Sequence, residues 1–345
     1  MSGTEAVVGG TSRGQASPEL FAHLWDQYRL GGGNARDLGG SYNLNLLITG
    51  DGRSSVARVY RQWVTPARLT AMQQVRQHLA AGGVPCVQPL HTLEGQTWMI
   101  VNHRLVEVEP YIEHDANMDS WERLEAGLPL LGRIHSLLRP LEVSEEGAHA
   151  PMANYIEPAT VLAGTLRGTQ CIRAWHATPV ELQIAAAAEE LAYALHRMQG
   201  EFGSLPRQLV HGDYWDNNVL FRSGHIVQVA DLDFMGVRAR IDDLALTLYY
   251  TNSTLPGDPA SDDGIRRLRL LVDAYNSGLD QPLTSGERAA LPLAIAQAPL
   301  CFIAEIAWPD YDLGARPWLA THMPQALSWT RGMVRGLGRW QAAFA

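Results

Sequence analysis

The spacing of apolar and polar residues predicts two parts of different character in this chain. In the first third, apolar and polar residues alternate at 41–49 and at 54–62, which predicts two strands separated by a glycine-rich turn. Three more extended runs follow, with the sequences VQPLHTL, QTWMIV and LVEVEPYI. Between the two groups, Thr65 before a proline predicts the start of a helix, and Gly82 with Gly83 predicts its end. This part is therefore predicted to be an antiparallel sheet with one long helix inserted after its second strand.

Helical patterns dominate from about residue 113 onward. Thr178 followed by proline, with Glu181 three positions on, is a capping-box sequence that predicts a helix start. One convincing strand pair lies among the helices, NVLFR and HIVQVA, joined by Ser223 and Gly224. Other helices are predicted in the run that ends before Pro140 and at 262–278, 286–306 and roughly 318–341.

The order of these elements predicts the domain organisation. Residues 1–17 are rich in Gly, Ser and Thr without periodicity and are predicted to form a flexible tail. Residues 18–110 are predicted to form a small β-rich lobe, and residues 111–345 a larger helical lobe that carries the hairpin. The fold class is therefore α+β, with a connector near 109–112.

Composition narrows the function. A net charge of −9 disfavours nucleic acid as a partner, because such binding needs a basic face. Cys86, Cys171 and Cys301 lie far apart, which predicts reduced thiols and neither a disulfide framework nor a zinc site. We find no signal-peptide pattern and no apolar run of membrane-spanning length, so a cytoplasmic protein without a membrane partner is expected.

The basic residues are all arginine. The 27 Lys and Arg residues include no lysine. A phosphate-binding cation in this chain must therefore be an arginine, whose planar group of N–H donors matches phosphate oxygens well.

The stretch HGDYWDNNVLF, at 211–221, concentrates polar residues at the start of the predicted hairpin. Asp, Asn and Gly are common in turns, so a plain loop is one explanation. The predicted strand pairing makes Asn218 face Val229 and brings Asp231 opposite Asp216, and a bulge would shift this register by one residue. Carboxylates gathered at one strand end repel each other unless a cation lies among them. Oxygen ligands that include a carboxamide favour Mg²⁺ over zinc.

This stretch, followed by VADLDFMGVRARIDDLA, resembles the catalytic segment of the aminoglycoside phosphotransferase and choline kinase superfamily. The shared pattern is H-G-D-x-x-x-x-N, an apolar strand, a turn, and an Asp after a second strand. DLGGSYNLNLLITGDGRSSVARVYR resembles the family's nucleotide-loop hairpin, and LPLLGRIHSLL the helix before its catalytic loop. The resemblance implies a bilobal protein-kinase-like fold and a Mg²⁺-dependent transfer of phosphate from ATP or GTP to a small molecule.

The resemblance also assigns roles at the hairpin. Asp213 would be the catalytic aspartate that accepts or orients the acceptor hydroxyl. Asn218 and Asp231 would be the Mg²⁺ ligands. His211 and Asp243 would support the loop and the helical lobe.

For the nucleotide, the resemblance assigns the phosphate-binding cation to Arg58. The helix at 66–81 contains no acidic residue to pair with that cation, so Gln73, a water or another arginine in the role of Arg58 are the alternatives. The other residues expected to contact the nucleotide, through backbone or side chain, are Gly40, Ser41, Asn43, Glu109 and Tyr111.

Acceptor-binding residues are expected beyond the hairpin. Related kinases build acceptor pockets near the position of CFIAEIAWPDYD, although a simple helix end is the alternative. His135 is predicted to be a packed core histidine. Trp318, Trp329 and Trp340 form a stripe predicted to pack in the core and not to stack on substrate. The acceptor candidates are Asp216, Glu305, Trp308 and Asp310.

The expected function is phosphorylation of a hydroxyl on an antibiotic of the aminoglycoside or nucleoside type, conferring resistance. The alternatives are a kinase of an amino alcohol, an amino sugar or a homoserine-like metabolite, and a nucleotide-binding module without transfer activity. A metal-dependent hydrolase is a third possibility that lacks the usual histidine ligands. The sequence leaves a monomer and a homodimer equally open.

Overall fold

A computed structural model describes residues 13–30, 34–50, 52–150, 154–202, 205–308 and 311–345, apart from the side chains of residues 201, 202, 252 and 253. The chain divides into two compact units. The first comprises the chain up to Glu113 together with Asp312–Ala315, and the second comprises His114–Tyr311 and Arg316–Ala345.

The first unit is built on an antiparallel sheet, as the sequence predicts, but the run at 87–93 forms no strand and Asn34–Asp37 adds a strand that the sequence did not predict. The strand order in this sheet is β1-β2-β3-β5-β4. The elements are α1 (Pro18–Tyr28), β1 (Asn34–Asp37), β2 (Leu44–Gly50), β3 (Arg53–Val59), α2 (Pro66–Ala81), β4 (Met99–Val101) and β5 (Arg104–Pro110).

The two faces of this sheet differ in chemistry. Leu20 and Leu24 of α1 pack in an apolar cluster with one face of the sheet, to which Ala57 and Val106 belong. Because side chains alternate along a strand, the neighbouring positions point the other way. On that second face, Asn45, Arg58 and Glu107 are register partners on β2, β3 and β5. The sequence alternation therefore separates an apolar core from a polar face.

The second unit is mainly helical, and with the first it confirms the predicted fold class. The capping box at Thr178 and Glu181 forms as expected, and the helix predicted at 318–341 is divided in two at Gly336. The elements are β6 (Ala116–Met118), α3 (Trp121–Leu138), α4 (Glu145–Ala148), α5 (Val161–Ala174), α6 (Pro179–Arg197), β7 (Arg207–Val210), β8 (Asp216–Arg222), β9 (His225–Val229), β10 (Gly236–Ala239), α7 (Arg240–Thr254), α8 (Asp262–Ser277), α9 (Ser285–Glu305), α10 (Arg316–Arg335) and α11 (Leu337–Phe344).

Part of the predicted tail belongs to the folded chain. Arg13 donates from Nε to the carbonyl of Asn43 at 3.1 Å and forms an ion pair with Asp37 at 2.6 Å. The side chain of Ser17 accepts a hydrogen bond from Leu20 N–H and caps α1. Composition alone does not reveal these contacts. Residues 1–12 of the predicted tail lie outside the described residues.

The hairpin formed by β8 and β9 contains a β-bulge. Near the turn, Phe221 pairs with Ile226 as the sequence predicts, but beyond it Val219 pairs with Val229. The predicted pairing of Asn218 with Val229 is therefore wrong by one residue, because Val227 is an extra residue on β9. The carbonyl of Asn218 instead accepts a hydrogen bond from Ala230 N–H at 2.9 Å. The bulge thus brings Asn218 beside the residue that precedes Asp231.

The sequence analysis expected no apolar run of membrane-spanning length, and α9 corrects this. Among the described residues, α9 (Ser285–Glu305) is the one helix long and apolar enough to cross a membrane. Its most apolar window is 72% buried inside the fold. The apolar composition of α9 is therefore that of a core helix on which its neighbours pack.

The close approach of α3 and α8 depends on Gly132. A Cβ at this position would collide with the carbonyl oxygen of Tyr275 and lie 3.1 Å from the Cα of Gly278. We expect Gly132→Ala to lower the free energy of unfolding by about 1–3 kcal/mol through overpacking. Gly332→Ala in α10, where a Cβ meets no atom within 4 Å, should instead raise it by about 0.5–1 kcal/mol. Urea denaturation of both variants measures the difference, and equal effects would contradict this account.

Candidate active site

The loop between β7 and β8 is held by one buried carboxylate. Asp243, in the first turn of α7, accepts hydrogen bonds from the backbone N–H of His211 at 3.0 Å and of Gly212 at 3.1 Å. It also pairs with Nε2 of His135 at 3.0 Å. Burial alone would raise the pKa of Asp243, but the hydrogen bond and charge of His135 outweigh it and hold the pKa at about 2. The loop backbone is therefore fixed by an ionised side chain.

His135 does more than pack. It is fully buried on α3, as expected, but Nδ1 lies 2.7 Å from the hydroxyl of Tyr275 while Nε2 faces Asp243. These two contacts orient the ring, and the ring orients the carboxylate. The sequence analysis missed this role, and the family-like helix LPLLGRIHSLL was the signal that could have indicated it.

His211 and Gly212 shape the loop from within. Nδ1 of His211 accepts from Asp213 N–H at 3.2 Å, so Nε2 carries the proton and donates to the carbonyl of Ala230 at 3.0 Å. Burial lowers the pKa of His211, which keeps the ring neutral. Gly212 has a φ of +89°, and a Cβ there would collide with the carbonyl of Phe234. His211 therefore links the loop to the residue before Asp231, and Gly212 lets the loop pass close to the backbone that follows Asp231.

The carboxylate of Asp213 accepts hydrogen bonds from two carboxamide side chains. Nδ2 of Asn154 donates to Oδ1 at 2.8 Å, and Nδ2 of Asn218 donates to Oδ2 at 2.8 Å. Burial, followed by the negative charge of Asp231, raises the pKa of Asp213 to about 7. Asn154 lies 59 positions away along the chain and in no recognisable motif, so sequence reasoning missed it.

Asn218 and Asp231 offer oxygen ligands for a cation. Nδ2 of Asn218 donates hydrogen bonds to the backbone carbonyl and to the carboxylate of Asp213, so Oδ1 is the side-chain atom that could bind a metal. Asp231 has a left-handed φ of 62° and accepts from Asp233 N–H at 3.3 Å. In the described part of the chain, no group of three or more His, Cys, Asp or Glu forms a cage that could hold a metal. One carboxylate and one carboxamide, completed by phosphate and water oxygens, fit Mg²⁺.

In the first unit, a buried ion-pair network joins α2 to the sheet, and its cation lies on the helix. Arg76 of α2 pairs with Glu107 and, at 3.2 Å, with Glu109, both on β5. Nε2 of Gln73 donates to Glu107 Oε2 at 2.6 Å. The nearest carboxylate oxygen of Glu109 lies 3.9 Å from Arg58. The helix thus supplies a cation and the sheet supplies the carboxylates.

The side chain of Asn45 on β2 supports the glycine loop that precedes this strand. Gly40 has a φ of +110°, and a Cβ there would lie 2.8 Å from Asn45 Nδ2. Asn45 donates to the carbonyl of Gly39 at 3.1 Å. Asn43 is buried and its Oδ1 accepts from Arg61 N–H at 3.1 Å, so this side chain supports the fold at the loop. Ser41 beside it is half-buried.

At the other end of the sheet, the backbone N–H of Tyr111 donates to the carbonyl of Ser54 at 3.0 Å. Tyr111 is half-buried. The side chain of Glu109 is turned into the ion-pair network with Arg76.

The acceptor candidates occupy different environments. Asp216 starts β8 with a φ of 21°, and burial, followed by the charge of Asp119, raises its pKa. Glu305 is buried at the end of α9, where Cys301 Sγ lies 3.8 Å from Oε1. Trp308 is half-buried and donates its backbone N–H to the carbonyl of Glu305 at 2.9 Å. Asp310 lies outside the described residues.

A row of aromatic rings links the catalytic loop to α10. Ring centroids are 5.3 Å apart for Trp215 and Tyr250, 6.5 Å for Tyr250 and Phe302, and 5.6 Å for Phe302 and Trp318. Trp329 and Trp340 are buried, in agreement with predicted core packing. Trp318 is only half-buried and lies on this row, apart from those two.

A kinase-type catalytic loop, carried by this fold and fixed by a buried aspartate, defines the chain as a protein-kinase-like phosphotransferase. The model of the phosphotransferase enzyme family (APH) matches residues 35–278. The chain belongs to this family and is a small-molecule kinase, which confirms the resemblance found in the sequence.

Similar proteins agree with this class. The homoserine kinase of Zymomonas mobilis is 23% identical over 278 residues, or 78% of each chain. A microcompartment-associated aminopropanol kinase superposes with a TM-score of 0.71 at 17% identity, over 92% of this chain and 98% of that one. The amicoumacin kinase hAmiN, solved with AMP-PNP, Ca²⁺ and Ami, gives 0.67 at 14% identity, over 93% and 94%. These two structural likenesses support the fold.

The Asp243 brace should make stability depend on acid. Its folded pKa of about 2 lies below the ordinary 3.8, so its contribution is complete above pH 4 and is lost as pH falls toward 2. We expect Asp243→Asn to lower the free energy of unfolding by roughly 2 kcal/mol at pH 6. This difference from the wild type should become smaller as the pH falls toward 3. Chemical denaturation across this range measures it, with exposed Asp263→Asn as control. If the free energies of unfolding of Asp243→Asn and wild type differed by the same amount at every pH, the proposed contribution of the ionised Asp243 to stability would be contradicted.

The ion-pair network of Arg76 should affect the nucleotide selectively. Without Arg76, the carboxylate of Glu109 loses its closest cation and draws on Arg58. We expect Arg76→Met to raise the KM for ATP about 10-fold, the size of one lost charge-assisted hydrogen bond, with the acceptor KM unchanged. Arg36→Met, on the exposed strand β1, serves as control. Steady-state kinetics with each substrate varied separately measures both KM values, and equal changes in the two would contradict a selective effect on the nucleotide.

Proposed function

We propose that this protein transfers the γ-phosphoryl group of ATP, or alternatively GTP, to a hydroxyl group of a small amine-bearing metabolite in the cytoplasm. The observation that carries the proposal is Asp213, held by two carboxamides with a pKa of about 7 beside Asn218 and Asp231. The relatives named homoserine kinase and aminopropanol kinase favour a metabolite over the antibiotic that the sequence first suggested. Both of those named acceptors carry an amine and a hydroxyl.

In this proposal Asp213 orients the acceptor hydroxyl and takes its proton. Burial raises the proton affinity of this carboxylate, and the hydrogen bonds from Asn154 and Asn218 fix its direction. The acceptor oxygen forms a bond to the γ-phosphorus, and the bond from that phosphorus to the β–γ bridging oxygen breaks. Nucleoside diphosphate leaves with the bond's electron pair. Positioning and charge, not covalent catalysis, supply the rate.

Asn218 and Asp231 would hold Mg²⁺, with Oδ1 of Asn218 and the carboxylate of Asp231 as ligands. When bound, the ion would neutralise negative charge on the phosphate oxygens. Arg58 would add a second positive charge on the nucleotide phosphates, and backbone N–H groups around Gly40 and Ser41 would line the phosphate loop. In this assignment Asn43 supports the loop and Tyr111 secures the base-binding segment.

A nucleotide-binding module without transfer activity is the second candidate. The observation that favours it is the ion-pair network with its cation on α2, because the helix carries no carboxylate to orient Arg58. Tight binding of Mg²⁺-ATP without any phosphorylated product from a broad acceptor panel would favour this alternative.

A phosphorylation screen tests the proposal. We expect mass spectrometry to detect a phosphorylated product from homoserine, ethanolamine or an aminopropanol, with ATP or GTP as donor, and to find less product from aminoglycosides. Asp213→Asn should reduce kcat by about 10²–10⁴-fold, the usual contribution of a general base, while ATP affinity stays unchanged. Asp231→Asn should weaken ATP binding in the presence of Mg²⁺. The catalytic assignment fails if Asp213→Asn turns over at the wild-type rate.

A further inference from the structure

A narrow recess lies next to the catalytic loop within the second unit. Helices α7 and α9 and the segment 154–156 enclose it. Its apolar lining includes Ile156, Leu246 and Ala298. Its principal polar lining residues are Asn154, Asp242 and Gln297. None of the roles assigned above uses Asp242 or Gln297.

The amide groups in this recess present oxygen and not N–H. Gln297 is only 4% exposed, and its Nε2 donates to the carbonyl of Ile156, an acceptor that fixes the amide orientation. Its Oε1 is buried without a hydrogen-bond partner. Asn154 likewise spends Nδ2 on Asp213, which leaves Oδ1 as its remaining polar atom. Gln297 Oε1 is thus a buried acceptor without a donor, and the carboxylate of Asp242, which accepts from Ala239 N–H, lies in the same lining.

The charges around the recess favour a cation. Arg207 is engaged by Glu157 at 2.6 and 3.1 Å. Arg238 lies 4.9 Å above the ring of Tyr155 and donates to the carbonyl of Phe234. The remaining carboxylates are Asp242 and, across Asn154, Asp213. Burial raises the pKa of Asp242 to about 7 and outweighs the lowering effect of the positive charge of Arg238.

The position of the recess suits a substrate arm. Asn154 touches Asp213 at 2.8 Å and also lines the recess. A group bound there lies one side chain from the carboxylate that would receive the hydroxyl proton. A primary ammonium has the N–H donors that such oxygens need, whereas a trimethylammonium has none and depends on aromatic rings.

We propose that the recess formed by Asn154, Asp242 and Gln297 binds the primary ammonium group of the acceptor and so selects amino alcohols and hydroxy amino acids. This inference rests on the proposed function, because it specifies the acceptor of the same site. It assigns a specificity role to Asp242 and Gln297 and no part in the transfer itself.

Calorimetry and kinetics with matched compounds test it. The probes are 3-amino-1-propanol, its N,N,N-trimethyl analogue and 1-propanol, titrated into the full chain with and without ADP. We expect the primary amine to bind more tightly than the other two. Asp242→Asn and Gln297→Met should each weaken its binding about 10-fold or more, as a lost charge-assisted or buried hydrogen bond does, and raise its KM equally. ATP affinity should not change.

Asp263→Asn makes the same chemical change on the exposed face of α8 and should leave every constant at the wild-type value. Circular dichroism melting confirms that each variant is folded, and Gln297→Met gives an uncharged second readout if Asp242→Asn fails to fold. The proposal that the recess binds the ammonium group would be refuted if the wild type bound the three probes equally. It would also be refuted if the Asp242 and Gln297 variants kept wild-type affinity, even if transfer to amines occurs. Variant-sensitive amine binding without any transfer would sustain the recess and refute the proposed kinase reaction.

Discussion

The catalytic segment depends on a single buried carboxylate with three hydrogen-bond donors. Asp243 holds two consecutive backbone N–H groups of the loop and is itself oriented by His135. An ionised group survives in that interior only because the donors outweigh the cost of burial, which is why its pKa is low while that of nearby Asp213 is high. Within the same buried loop region, one aspartate therefore stays ionised while the pKa of the other is raised.

In the first unit, charged side chains of both signs are buried together. A cation and two carboxylates are buried on the polar face of its sheet, and each would be costly there alone. The sequence departs from the usual kinase arrangement on the helix, and the structure shows why this is tolerated: β5 supplies the carboxylates that α2 lacks. Arg58 lies 3.9 Å from the nearest carboxylate oxygen of Glu109. Opposite charges still pair between helix and sheet, but here the helix carries the cation and the sheet carries the carboxylates.

Local features were predictable where chemistry follows from neighbouring residues. The turn at Ser223 and Gly224 fixed the hairpin, and the motif around Asp213 indicated its partners Asn218 and Asp231. The register failed by one residue because a bulge at Val227 leaves no clear mark in an alternating sequence. Arg13 was assigned to a tail for a similar reason, since its partner Asp37 lies 24 positions away.

The sequence by itself determined the fold class, the family and the identity of the groups that carry charge at the hairpin, because periodicity and motif spacing are local properties of the chain. Only the tertiary structure decided which distant side chains complete the site. Asn154 reaches Asp213 across 59 positions, His135 reaches Asp243 across 108, and Arg76 reaches Glu107 across 31. Such contacts depend on how helices and strands pack, and a side chain's partner, burial and proton affinity exist only once that packing has formed.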